Sequence, residues 1–278
     1  MFSIFILFLI ATVLVAQDWQ ELKGEHFIVY FTQDKEEEFV KGVLRKAERD
    51  YVRIATDLGY ARYEDFWTWD SRVKIYIYPD HASYLKYSNQ PDWSEGMADY
   101  VAKSILSYSG SQNFLISILP HEMAHLIFRD FVGFKGEIPL WLDEGVAQWE
   151  EEVSRYRIKS RIREFLDKKS LLSLNDMMKL DIRLIEGTHK LHLCSTSMDG
   201  KPGFLILDGN NLVDLYYLQA ASLVGFLIEQ YGANRFTELC RQLRDGKDLE
   251  DALRFAYPTK LRSIDELEDK WLQYLREE

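Results

Sequence analysis

His121-Glu122-Met123-Ala124-His125 puts two imidazoles and a carboxylate in one short segment, and Glu144 follows after eighteen intervening residues, inside Trp141-Leu142-Asp143-Glu144-Gly145. Two positions four apart on an α-helix differ by about 40° in direction, so both rings leave the same face. Such a pair suits one tetrahedral Zn²⁺, which in catalytic sites takes three protein ligands and leaves a position for water. Glu122 projects beside that metal rather than onto it, where it can take a proton from the water as general base. Glu144, near the start of the next apolar helical segment, is the candidate third ligand. The expected cofactor is therefore Zn²⁺, held by His121, His125 and Glu144. By chance, His-Glu-x-x-His would occur in about one chain in a hundred of this length. A satisfied helical histidine pair is the competing explanation, and the downstream carboxylate weighs against it.

These residues need elements to hold them. Residues 112–131 read as the histidine helix, with Pro120 marking either a kink or the first turn. A second helix is expected from Pro139 to about Val153, and further helices near 155–168, 212–232, 234–245, 247–256 and 263–277. Upstream, residues 25–31 and 73–78 have strand patterns, and 98–108 reads as another strand. A helix is expected over 35–57, with Phe39, Val43, Ala47 and Val52 among its apolar positions. Residues 191–207 look like a β-hairpin turning at Asp199-Gly200-Lys201-Pro202-Gly203. It is expected to rim the cleft. The first half is thus mixed α and β, the second mainly helical.

The chain has 278 residues and a formal charge of −11. That length is ample for one core, and the acidic balance argues against a nucleic-acid partner. Phe2 to Ala16 carry no charge. They read as a signal peptide cut between Ala16 and Gln17, or as an uncleaved signal anchor. The expected location is extracytoplasmic, secreted or periplasmic, with membrane attachment only if the segment stays uncleaved. Cys194 and Cys240 fit that compartment as one disulfide or as two buried thiols. His189 and His192 repeat a His-x-x-His spacing without a matching carboxylate, so they read as surface or structural residues, and His26 and His81 as structural.

The motif set resembles the gluzincin metallopeptidases: His121-Glu-x-x-His125, then Glu144 within Trp-Leu-Asp-Glu-Gly. It is most similar to the peptidase-MA-like domain proteins, which are related to the aminopeptidase N type. The resemblance implies a zincin-like α+β fold over residues 17–278. A lobe of about 24–131 would hold a small mixed sheet and the histidine helix. A mainly helical lobe of about 132–278 would bring the rest of the site. It also implies that Tyr217, in Tyr217-Leu-Gln-Ala-Ala-Ser-Leu-Val-Gly-Phe-Leu, donates to the oxyanion of a peptide-bond hydrolysis. Tyr216 is the alternative register, and a packing role among sixteen tyrosines is the plain one. Glu151 is implied as a carboxylate that orients a ligand histidine. Glu150 competes for that role, and a solvated helix face is the plain reading. Glu95-Gly96-Met97-Ala98-Asp99 lacks the Glu-Asn pair of the aminopeptidases, so aminopeptidase activity does not carry over. A peptide or protein substrate is expected. The alternatives are a non-catalytic zinc-containing binding module and a zinc amidase acting on a cell-wall amide.

Overall fold

The computed structural model describes residues 18–32, 37–60, 67–134, 136, 138–185, 190–196 and 203–277. The expected signal segment, His189 and the 197–202 tip of the hairpin lie outside them. Five strands form the first sheet: β1 (Gln20–Lys23), β2 (Phe27–Phe31), β3 (Val73–Tyr78), β4 (Gly96–Asp99) and β5 (Ser104–Tyr108), in the order β1-β2-β3-β5-β4. The inner pairs are parallel, and the outer pairs β1/β2 and β4/β5 are antiparallel. Alternation buries Phe27, Val29 and Phe31 with Val73, Ile75 and Ile77. Helix α1 (Glu37–Asp57) packs on the sheet and buries Val40, Val43, Ala47 and Ile54. Val52, expected on that apolar stripe, is exposed. It lies nine residues beyond Val43, about 180° away around the helix.

The strand expected over 98–108 is two strands. Asp99 accepts from the N–H groups of Val101 and Ala102, both at 2.9 Å, and turns the chain there. An aspartate capping its own following backbone competes with a continuous strand. The result leaves β4 on the sheet edge. After α2 (His81–Ser88), β4 and β5 comes a π-helical turn at Phe114–Ile118, and then α3 (Leu119–Val132) with Pro120 in its first turn. Of the two readings of Pro120, the helix start is the one that forms. Gly96 is needed here, because a Cβ on it would come within 2.5 Å of Ile118 Cγ2.

The next helix, α4 (Leu140–Glu150), is shorter than expected: Glu151 has ψ 103° and separates it from α5 (Glu152–Asp167). A second sheet contains β6 (Leu171–Leu172), β7 (Lys190–Thr196) and β8 (Gly203–Asp208), with α6 (Leu174–Met177) between β6 and β7. The hairpin thus forms as expected and gains a third strand. Helix α7 (Gly209–Tyr231) follows. It is long and apolar enough to cross a membrane by length and composition, but 72% of its apolar window is buried in the protein. Gln219 on α7 binds both backbone groups of Leu172, at 2.7 and 3.1 Å, and so ties β6 to this helix. α4 packs closely on α7: a Cβ on Gly145 would lie 2.6 Å from the Ala220 carbonyl oxygen. α8 (Ala233–Arg244), α9 (Leu249–Ala256) and α10 (Ile264–Glu277) complete the chain. The fold is α+β, and one hydrophobic cluster runs from Phe27 through α3, α4 and α7 to Leu275.

Cys194 and Cys240 are free thiols rather than a disulfide. Burial pushes the Cys240 thiol up to about 12. His26 bonds Glu48 at 2.7 Å and His81 bonds the Ser94 carbonyl at 2.8 Å, both away from the zinc motif. His192 is exposed on β7.

Candidate metal centre

α3 presents His121 and His125 on one face, and α4 brings Glu144 to them. One ligand atom from each of the three residues can be chosen so that all lie within 4.8 Å of one another. His125 Nε2 is 3.6 Å from Glu144 Oε2. Each ring is held through its other nitrogen. His121 Nδ1 lies 2.9 Å from Glu151 Oε1, and His125 Nδ1 lies 2.9 Å from Asp143 Oδ1. A carboxylate on Nδ1 favours the tautomer that keeps Nε2 free as a donor to a metal.

Glu151 reaches His121 by a route the sequence did not indicate. Seven residues from Glu144, it was expected two turns along the same helical face. Instead it lies at the break between α4 and α5, where it also accepts from Ser117 Oγ at 2.5 Å. The π-helical turn before α3 supplies that serine. Glu150, the rival for the role, points elsewhere. It is fully buried and bonded to Arg53 at 2.5 Å and Arg155 at 2.9 Å.

Burial outweighs these two cations and pushes the Glu150 carboxyl up to about 7 from 4.5. A carboxyl with a raised pKa binds its proton more tightly in the folded chain. Its contribution to stability is therefore complete below the unfolded value and is lost as pH rises through about 7. Wild-type stability is expected to drop from pH 5 to pH 8 by a component on the order of 3 kcal/mol. Glu150→Gln should remove that component. Urea unfolding at both pH values checks this, and equal pH slopes in the two proteins would count against it.

Asp143 is the residue the sequence reading passed over. It is buried, bonds His125, and accepts through Oδ2 from Arg129 Nε at 2.9 Å and Nη2 at 2.5 Å. Burial alone would raise its pKa, but His125 and Arg129 hold the carboxyl below its ordinary value. Without a metal, burial opposes charge on His125, and Asp143 and Glu144 override it and push the ring up to about 10, so metal binding there would release the Nε2 proton. A signal existed: Arg129 is four residues beyond His125, on the same helical face, and Asp143 adjoins Glu144.

Glu122 and His121 line an open cleft of about 620 Å³, bounded by Ser94, Glu95 and Gly96 at the sheet edge and by Ile116 and Arg157. Tyr217 lines a second cavity of about 260 Å³ with Gln148 and Arg157. Burial first, and then the Glu144 carboxylate beside it, raise the Tyr217 pKa above its ordinary value. Tyr216 is almost fully buried and lines neither cavity, so of the two registers Tyr217 is the one open to a cavity, the smaller of the two. Tyr100, just past β4, is a second phenol near the centre. Its ring lies 6.4 Å from that of His125, and burial, Asp143 and Glu122 raise its pKa. Among the described residues of the β7–β8 hairpin, none lines either cavity, and the 197–202 tip of the expected rim lies outside the described residues.

No protein-family model and no curated protein matches the sequence. Among solved structures, the chain is similar to a functionally unknown conserved protein from Bacillus anthracis str. Ames, with a TM-score of 0.47 and 13% identity. The match covers 94% of this chain and 50% of that one, so the chain spans half the length of that neighbour.

Proposed function

We propose that this chain is a zinc-dependent peptide hydrolase of zincin-like fold, with His121, His125 and Glu144 as the metal ligands. The observation that carries this reading is the double anchoring of the histidines. Asp143 and Glu151 each hold one Nδ1, while the ligand atoms converge with Glu144. A helical histidine pair that served packing alone would not need two buried carboxylates to orient it. Nitrogen and carboxylate donors in this number fit Zn²⁺ in a catalytic site. When bound, zinc supplies Lewis-acid polarisation of the substrate carbonyl and lowers the pKa of water to about 7.

The remaining steps belong to the chain's own residues. Glu122, in the open cleft, takes a proton from the attacking water and passes it to the leaving amine. Tyr217 donates its O–H to the oxygen on which negative charge develops. Its raised pKa keeps that phenol protonated near neutral pH. Among the described residues β4 pairs only with β5, and Gly96 at its start lines the same cleft. An extended peptide can add to such an edge through backbone hydrogen bonds, which favours a peptide over a small amide as substrate. We place the activity outside the cytoplasm on the strength of the uncharged residues 2–16.

Removal of the metal is the direct test. The purified chain is expected to hold one zinc per molecule by elemental analysis. A chelator should abolish cleavage of an unstructured protein, and added Zn²⁺ should restore it. A chain with no bound zinc and no zinc-dependent cleavage would sink the reading.

A further inference from the structure

α5 carries five cations, Arg155, Arg157, Lys159, Arg161 and Arg163, in a protein of net charge −11. Three of them are used inside the fold. Arg155 pairs with Asp57 and Glu150, each at 2.9 Å, Lys159 with Glu229 at 2.9 Å, and Arg163 Nε donates to the Leu275 carbonyl at 3.0 Å. Arg157 and Arg161 are exposed, and among the described residues neither has an ion-pair partner. These two are also the ones that face the centre. Arg157 lines both the cleft of His121 and Glu122 and the cavity of Tyr217, and Arg161 lines the latter. Asp214 lines that smaller cavity too, without an ion pair to either arginine.

Two like charges one helical turn apart repel each other. Among the described residues they have no ion-pair partner to offset that repulsion, and Arg157 lines the same cleft as His121 and Glu122. Elsewhere along the cleft the charges are carboxylates: Glu95, Glu122 and Glu151. A negative group on a bound peptide would be repelled by those carboxylates and accepted beside α5. Guanidinium groups are well suited to that contact, because their paired N–H donors match a carboxylate.

We infer that Arg157 and Arg161 form a specificity subsite for a substrate carboxylate, so that the proposed hydrolase prefers peptides with an acidic residue on one side of the scissile bond. This rests on the hydrolase reading and is tested with a separate readout. The probe is a set of unstructured decapeptides in which one Glu is moved through each position, with Gln at the same position as control. Wild type is expected to favour Glu over Gln by about tenfold in kcat/KM, mainly through KM, at one or two adjacent positions on a single side of the bond. The preference should weaken as salt is raised. In Arg157→Ala/Arg161→Ala the Glu-to-Gln ratio should fall to about one. Arg157→Glu/Arg161→Glu should turn the preference towards Lys, which a purely structural role would not do. The second arm measures binding of the same peptides to the full-length Glu122→Gln chain by fluorescence anisotropy. Equal affinity for Glu and Gln peptides at every position, or a preference that survives both double variants, overturns the subsite. Cleavage without acid preference would do the same and leave the hydrolase standing, whereas acid-selective binding without cleavage would support the subsite and remove the hydrolase.

Discussion

Glu122→Gln is expected to lower peptide hydrolysis by a factor on the order of 10² to 10⁴ while leaving zinc content and fold intact. The amide has nearly the shape of the carboxylate but cannot accept a proton from water. Glu122 lies in the open cleft beside His121, and among the described residues its side chain makes no hydrogen bond or ion pair, so stability should hardly change. The effect should fall on kcat, because the group acts on the reacting atoms and not on remote parts of the peptide. Steady-state kinetics with elemental analysis of the same preparation checks it. Equal kcat in the variant, with zinc bound, would exclude Glu122 as the base, whereas zinc bound with no cleavage by either protein would leave the zinc-containing binding module as the better account.

Asp143→Asn is expected to have the second large effect, and on different quantities. Arg129 directs both Nε and Nη2 at Asp143 Oδ2, while Oδ1 faces His125. If the amide keeps its oxygen towards His125, its NH₂ meets two guanidinium donors. If it flips, the donor conflict moves to the histidine whenever Nδ1 carries a hydrogen. Either way Arg129 loses its buried counter-charge. Breaking a buried pair by removing one charge costs about 3–5 kcal/mol, and the partial exposure of Arg129 places this case near the lower end. Loss of an orienting carboxylate should also weaken zinc binding by about 10–100-fold. Urea unfolding of the zinc-free protein and competition with a chromophoric chelator measure the two losses separately. A variant that kept both stability and affinity would show that Asp143 neither fixes the ring nor balances Arg129.

Much of this centre was legible in the chain itself, and the boundary of legibility has a physical basis. His121 and His125 share a face because helical periodicity is local, and Pro120 is compatible with a helix start because of its own missing N–H. The strands at 27–31 and 73–78 and the α7–α10 helices follow from alternation and amphipathic spacing in the same way. Misreadings arose where a side chain overruled a pattern. Asp99 capped its own turn and split one expected strand into two. The extrapolation from Glu144 to Glu151 assumed a continuous helix, and the helix ends one residue earlier.

Sequence alone determined that one helix could offer two imidazoles with a carboxylate between them, and that a further carboxylate followed on the next apolar segment. Tertiary structure decided which carboxylate meets which ring. Asp143 reaches His125 and Glu151 reaches His121, while Glu150, one residue away, is buried against a pair of part-exposed arginines. It also decided which tyrosine opens to a cavity and which two of five cations on α5 have no ion-pair partner among the described residues. The reason is that ligand spacing within a helix is set by its own 3.6-residue repeat. Contact between helices depends on how closely they pack, here on Gly145 against the backbone of α7 and on the break at Glu151.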